Sequence, residues 1–397
     1  MVFVTIISTV SAGWIGQSIL RLESELDNNL LISSSIISLI SSNAILVTVG
    51  MFFYVLVPFE SSSYRWLFIS GGVLIISRSV FMVTKSILQA RLDSRSVTIL
   101  RVSRSIGRLL FGLPLAIIII KHPAGWMLGA AIAAIVSASS IGIFTIKCWR
   151  ISIHPDTIRR MVSFGFPMIG WLLGFTMLTF IDRLLLEYFL NSRIVGLYTA
   201  NYDIANKALP LALAPIIQAS HPIIMNKWSG DNVSEVQSTI TEMTRYFLIV
   251  GLPATVLVAM SSEQLSGILL DDRYHGGHNI IAIIAISILL WQMAMLVHKG
   301  LEVKEKTNTM LIGVLLATVS NILLNIVLIP KQGYQGAAIA TLLSFLIYLI
   351  FAFLIAEKYV PWRPPVRTLK NVLISSTIMA GSIYIIQNIF YGIFRES

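Results

Sequence analysis

Four basic residues lie inside long apolar stretches of the sequence, where charged side chains are rare. They are Arg78, Arg108, Arg183 and Lys207. A charge near the middle of a membrane helix costs roughly 2.5–3.5 kcal/mol on insertion scales, so such residues usually face a wet cavity and mark a substrate path. We therefore predict that these four side chains bind an anionic group.

Arg78 is the most informative of the four because no acid accompanies it. It falls near the centre of the apolar stretch 66–88, and the acids of the first half lie in loops or at the ends of stretches: Glu23, Glu25, Asp27, Glu60 and Asp93. Arg78 therefore requires an acid from the second half of the chain or an anionic ligand. Its planar guanidinium suits phosphate oxygens, whereas an exporter of organic cations would require an acid here.

The other three basic residues have structural alternatives. Arg183 follows Asp182 and precedes Glu187 by one helical turn, and Lys207 follows Asp203 by one turn, so both can form ion pairs. Arg108 lies about ten residues inside its stretch, and its side chain can extend toward the membrane surface. Binding and structural roles stay open for these three residues.

No metal site or cofactor is expected from the remaining chemistry-bearing residues. His275 and His278 flank two glycines in a polar loop, but no carboxylate or thiolate framework completes a metal site around them. The single cysteine, Cys148, excludes an internal disulfide.

Composition places these residues in a membrane protein with many spans. Hydrophobic residues make up 56% of the chain and charged residues 12%, a balance typical of membrane proteins. Windows of about 20 apolar residues, the length that crosses a bilayer, predict twelve helices: 1–20, 34–57, 66–88, 98–121, 125–147, 161–187, 194–219, 243–261, 279–299, 308–330, 335–357 and 371–393.

The distribution of the basic residues explains the net charge of +10. Of 29 Lys and Arg, 19 lie in loops on one face of the predicted membrane and 6 on the opposite face. The positive-inside rule makes the richer face cytoplasmic. The charge is therefore a signature of topology, and no nucleic-acid partner is expected.

A repeated pentapeptide indicates an internal duplication. GAAIA occurs at 129–133 and at 336–340, and an offset of 207 residues superposes further apolar stretches of the two halves. We expect an N-terminal lobe of five helices at 1–150, a cytoplasmic linker at 151–160, a C-terminal lobe of six helices at 161–358 and an extra helix within 359–397. This offset leaves the helix that opens the second half, 161–187, without a counterpart in the first half, so the first helix of the N-terminal lobe is expected to be missing.

Several motifs resemble the polysaccharide and O-antigen (Wzx-like) flippases of the MOP superfamily, which also contains the MATE exporters. The order and spacing of the motifs carry this resemblance over nearly the whole chain. The residues are Trp14 with Gln17, Ser18, Ile19, Leu20 and Arg21; Pro167 with Asp182 and Arg183; Gly196 and Tyr198; and Leu324, Asn325, Leu328, Ile329, Pro330, Gly333, Gly336, Ala337, Ala338, Ala340 and Thr341.

The resemblance implies a fold and a function. It implies an all-α, MATE-like transporter with two lobes of helices around a cavity that opens alternately to each face of the cytoplasmic (inner) membrane. The implied substrate is a polyprenyl-diphosphate-linked oligosaccharide for surface polysaccharide such as the O-antigen of lipopolysaccharide, with other polysaccharide-assembly membrane proteins as partners. Arg78, Arg183 and Lys207 would meet the anionic head group, and Asp182 or Asp203 would carry a coupling proton.

Two other functions are weighed against this one. A MATE-like exporter of small molecules would share the architecture. A membrane-embedded polysaccharide polymerase or ligase would need a large external loop carrying catalytic groups, and the longest external loop, about 262–278, is short. We therefore expect a transporter and not an enzyme.

Overall fold

Long helices follow the apolar stretches of the sequence in the computed structural model of the chain. The structure describes residues 2–23, 25–56, 61–145, 152–228 and 232–395. Glu60, Cys148 and the start of the predicted linker, including Ile151, lie outside the described residues. The helices are α1 (Val2–Ser8), a π-helix (Thr9–Gly13), α2 (Trp14–Leu22), α3 (Asn28–Leu56), α4 (Ser62–Ala90), α5 (Ser94–Pro114), a second π-helix (Leu115–Ile119), α6 (Pro123–Thr145), α7 (Pro155–Phe189), α8 (Ser192–Trp228), α9 (Val233–Met260), α10 (Ser262–Leu269), a 3-10 helix (Asp272–Gly277), α11 (Asn279–Val297), α12 (Lys299–Val303), α13 (Thr307–Ala356) and α14 (Val366–Arg395).

Eleven of these helical segments in the described residues are long and apolar enough to cross a membrane. The twelfth predicted helix is present as well, because α13 contains both predicted stretches, 308–330 and 335–357. Gly333 divides α13 with φ 60° and ψ −139°, a conformation open to glycine because it lacks a Cβ atom. The prediction of an all-α polytopic membrane protein is confirmed.

Contacts within the chain define two units, Met1–Leu173 and Gly174–Ser397. The boundary falls inside α7, which begins at Pro155, so the second half of the predicted linker is already helical. The predicted lobes, 1–150 and 161–358, stay a prediction.

In the first unit, glycines bring α6 close to the helix that precedes it. Gly129 lies against the backbone of Gly112, and Gly125 lies against the backbone of Leu115, where a Cβ atom would overlap. Small residues at these positions allow close approach of membrane helices. This packing fixes α5 against α6.

The second unit uses the other copy of the repeat in the same way. Gly336 lies against the backbone of Leu328 in the first half of α13. Beside this contact, Tyr198 and Tyr202 of α8 are buried against the apolar side chains of α11 and α13. The polar groups of this unit are therefore enclosed by tightly packed helices.

Candidate functional site

Five basic side chains of the first unit form one group on α4 and α5. Arg78 and Lys85 lie two turns apart on α4, and Arg101, Arg104 and Arg108 follow one face of α5. The charge of Lys85 interacts with those of Arg78, Arg101 and Arg104, and the charge of Arg104 interacts with those of Arg78 and Arg108. We call these five residues the basic cluster.

The basic cluster extends from one end of these helices toward the middle of the membrane. The C-terminus of α4 and the N-terminus of α5 meet at the 91–93 turn, on the face that the loop charges predict to be cytoplasmic. With a rise of about 1.5 Å per residue, the distances from these helix ends are about 8, 11, 15, 18 and 21 Å for Lys85, Arg101, Arg104, Arg78 and Arg108, respectively. The cluster therefore offers positive charge at successive depths.

Arg78 is held by a neutral group. Its Nη1 donates a hydrogen bond of 3.1 Å to Oγ1 of Thr5, and the side chain is half-buried. Within the first unit, no described carboxylate lies within 4.0 Å of Arg78. The described acids of this unit, Glu23, Glu25, Asp27, Asp93 and Asp156, lie in turns or at helix ends. The positive charge of Arg78 is thus uncompensated inside its own unit.

Aromatic rings support two other members of the basic cluster. The Arg104 guanidinium lies 4.1 Å from the centre of the Phe81 ring, and the Arg108 guanidinium lies 5.7 Å from the centre of the Trp126 ring. Such contacts attract a cation to the ring face without neutralising its charge. Both arginines therefore keep their charge available to an anion.

In the second unit, Asp182 is enclosed by hydrogen-bond donors. Tyr198 Oη donates to Asp182 Oδ2 at 2.9 Å, Thr341 Oγ1 donates to the same oxygen at 2.6 Å, and Asn325 Nδ2 donates to Oδ1 at 3.0 Å. Asp182 is fully buried. Its hydrogen bonds join α7, α8 and both halves of α13.

Arg183 and Lys207 share a different acid, Asp203. The Arg183 Nη2 atom lies 4.0 Å from Asp203 Oδ1, and the Lys207 Nζ atom lies 3.0 Å from Asp203 Oδ2. Arg183 also lies over the Tyr202 ring at 4.5 Å. The ion-pair alternative thus describes both basic residues, but the partner of Arg183 is Asp203 instead of Asp182 or Glu187.

The structure brings the predicted site residues into separate groups. Arg78 and Arg108 belong to the basic cluster, and Arg183, Lys207 and Asp203 form a chain in the second unit. Sequence reasoning missed Lys85, Arg101 and Arg104 as cluster members, and it missed four buried ionisable residues of the second unit: His221, His298, Lys299 and Glu302. The spacing of His298, Lys299 and Glu302 along one helical face was the available signal.

The loop histidines bind backbone groups. His275 Nε2 lies 3.1 Å from the carbonyl oxygen of Leu270, and His278 Nδ1 lies 2.9 Å from that of His275. In the part of the chain that the structure describes, no group of three His, Cys, Asp or Glu residues is placed to hold a metal ion.

The fold resembles that of solved MATE transporters. An outward-facing multidrug resistance MATE family transporter matches with a TM-score of 0.72 and 15% identity, covering 90% of this chain and 85% of that protein. A MOP superfamily transporter from Pyrococcus furiosus matches with a TM-score of 0.70 and 15% identity, covering 90% and 86%. The chain is a multi-pass membrane protein, and its predicted fold class is confirmed.

The chain belongs to the polysaccharide biosynthesis protein family, whose model matches residues 1–228. It is 29% identical to the probable flippase AglR of Haloferax volcanii over 263 residues, which cover 64% of this chain and 54% of that protein. It is 21% identical to the probable low-salt glycan biosynthesis flippase Agl15 of the same organism over 207 residues, covering 52% and 43%. The chain thus spans about half the length of these curated relatives, and the predicted family resemblance is confirmed.

Proposed function

We propose that the protein is a flippase that moves a polyprenyl-diphosphate-linked oligosaccharide across the cytoplasmic membrane by alternating access. The observation that carries this proposal is the basic cluster, which places five positive charges at successive depths in the membrane. No described carboxylate of the first unit forms an ion pair with these five residues. A diphosphate supplies the negative charge that the cluster lacks, and guanidinium groups bind phosphate oxygens in bidentate geometry. The family and the names of the curated relatives agree with this substrate class.

In this proposal the predicted site residues have different roles. The basic cluster, with Arg78 and Arg108, binds the diphosphate. Arg183 and Lys207 approach the head group only if they release Asp203, so their contribution is smaller. The roles of Asp182 and Asp203 in coupling to an ion stay predictions.

The identity of the glycan does not alter the diphosphate chemistry. The name of one relative concerns an archaeal low-salt glycan, whereas the sequence resemblance suggested O-antigen for lipopolysaccharide. Both are glycans, and an assembly pathway would supply further membrane proteins as partners. We propose surface polysaccharide in general as the product of the pathway.

The test is export of surface glycan in a cell that lacks its own flippase. We expect Arg78→Ala to abolish export while the protein still inserts in the membrane, because the charge nearest the middle of α4 is lost. Arg65→Ala, an exposed arginine on the same helix, is the matched control and should export normally. Normal glycan on cells that carry Arg78→Ala would contradict the role of Arg78.

A second candidate function is export of small molecules, because the solved structures with this fold include a multidrug transporter. The basic cluster opposes organic cations as substrates, since like charges repel. Deletion of the gene distinguishes the two functions. Altered drug resistance with unchanged surface glycan would favour the exporter.

A further inference from the structure

Three ionisable side chains of the second unit meet around the carboxylate of Glu302, where α8, α11, α12 and α13 pack together. Glu302 Oε2 lies 2.6 Å from Lys299 Nζ and 2.8 Å from His221 Nδ1, while Glu302 Oε1 lies 2.9 Å from His298 Nε2. His298 Nδ1 lies 3.0 Å from the Tyr348 hydroxyl. We call His221, His298, Lys299 and Glu302 the Glu302 cluster. His298, Lys299 and Glu302 are each less than 8% exposed.

The contacts of His298 can be satisfied by its neutral form. A carboxylate only accepts, so Nε2 donates its hydrogen to Glu302, and Nδ1 accepts from the hydroxyl of Tyr348. Both ring nitrogens are then satisfied without an additional proton.

The contacts of His221 differ from those of His298, because one neighbour of Nδ1 is a hydrogen-bond acceptor and the other is a donor. Glu302 Oε2 at 2.8 Å requires a hydrogen on Nδ1, whereas the Lys299 ammonium at 2.9 Å requires a bare Nδ1. The other ring nitrogen, Nε2, is buried and has no hydrogen-bond partner among the described residues. When Nδ1–H donates to Glu302, Nε2 keeps a lone pair that no described donor occupies, so His221 is the member of the cluster where a proton can be added.

An added proton changes the charge balance. Ionised Glu302 and Lys299 with two neutral histidines give the cluster no net charge, and a proton on His221 places a second cation 2.9 Å from Lys299. The main charged neighbours of His221 are Lys299, Glu302 and His298, so the acid that faces the added proton is Glu302, which Lys299 already neutralises. A buried uncompensated charge is unfavourable, and access of water relieves it.

We propose that the Glu302 cluster is a proton-binding site, and that a proton bound at His221 separates the C-terminal part of α8 from α12 during transport. The proton comes from water on the face predicted to be cytoplasmic and returns to water when the helices close. The link to transport rests on the proposed function, whereas binding of the proton does not.

Hydrogen exchange of the full chain tests the proton site without a substrate. We expect the amides of 221–228 and 299–303 to exchange about 10-fold faster at pH about 5 than at pH about 8, after correction for the intrinsic rate. His221→Gln should abolish this difference, while His298→Gln and the loop control His275→Gln should retain it. Lys299→Met removes the competing cation and should also abolish the difference in exchange rate. This variant provides the test if His221→Gln does not fold.

Two results would overturn the site: a wild-type chain with no such difference, or a His221→Gln variant that keeps it. The link to transport is tested in vesicles with a polyprenyl diphosphate carrying a labelled disaccharide. We expect a pH gradient that is acidic on the face predicted to be cytoplasmic to accelerate wild-type movement of this lipid and to have no effect on His221→Gln. Equal wild-type rates with and without the gradient would overturn the link. A protein that never moves the lipid would contradict the proposed function, and the exchange measurement would still decide whether the cluster binds a proton.

Discussion

The two units handle buried charge in opposite ways. In the first unit, no described carboxylate of that unit pairs with the basic cluster. In the second unit, each group of charges includes an acid: Asp203 pairs with Arg183, and Glu302 pairs with Lys299. Charges that are paired inside a protein mainly hold helices together or exchange protons. Charges without a pair require a partner from outside, and an anionic ligand is such a partner. From this contrast we propose that substrate binding belongs to the first unit.

The largest expected effect is on stability in the second unit. Asp182→Ala should lower the free energy of unfolding by about 3 kcal/mol or more, because the buried donors of Tyr198, Asn325 and Thr341 lose their acceptor. Thermal unfolding in detergent measures this loss. Asp182→Asn keeps one acceptor oxygen and should lose about half as much. A change below about 1 kcal/mol for Asp182→Ala would show that these hydrogen bonds do not hold the unit together.

The two units should respond with opposite signs when a basic side chain is replaced by methionine. Lys85→Met should raise the free energy of unfolding by about 1 kcal/mol, because it removes a buried charge repelled by three arginines. Arg183→Met should lower it by about 1–2 kcal/mol, because it removes the contacts with Asp203 and the Tyr202 ring. Denaturation of the two purified variants compares these signs. A loss of stability in Lys85→Met would contradict the proposed difference between the two units.

The smallest effect concerns a compensated group of the first unit, outside the membrane spans. Burial alone would raise the pKa of Glu25, but hydrogen bonds and charges from Arg21 and Arg160 outweigh it and lower the pKa below its usual value of 4.5. A lowered pKa stabilises the protein above that usual value, and the contribution is lost as the pH falls through the lowered pKa. It is below about 1 kcal/mol because Glu25 is exposed.

Glu25→Gln should therefore lower the unfolding temperature slightly at neutral pH and remove part of its acid sensitivity, because the contribution of Glu25 is already absent in acid. Glu23→Gln, in the same turn, is the control. Identical acid sensitivity in wild type and Glu25→Gln would show that the ion pairs with Arg21 and Arg160 contribute nothing to stability.

Much of the fold could be predicted because apolar length and charge spacing are local properties. The apolar stretches gave the helices, and Gly333 divides α13 between two predicted spans. The sequence distinguishes Arg78 from the other basic residues because no acid lies near it in the same apolar stretch. Lys85, Arg101 and Arg104 lie near the ends of the predicted stretches 66–88 and 98–121 and count among the loop charges, whereas the structure places them inside α4 and α5.

The missed contacts depend on helix packing. His221 and Lys299 are 78 residues apart, and only the packing of α8 against α12 brings them together. Arg183 pairs with Asp203 because neighbouring positions on a helix point about 100° apart, so Asp182 faces the buried donors while Arg183 turns toward α8. No spacing rule along one helix could supply either contact.

The central claim is tested most directly by the affinity of the full chain for a fluorescent polyprenyl diphosphate, measured at one salt concentration. Arg78→Gln should weaken binding about 10-fold or more, since hydrogen bonds to charged groups are worth about 1.5–3 kcal/mol. Arg183→Gln should weaken it less, and the exposed control Arg65→Gln should bind as wild type does. Wild-type affinity in Arg78→Gln, or a larger loss in Arg183→Gln than in Arg78→Gln, would contradict the assignment of substrate binding to the first unit.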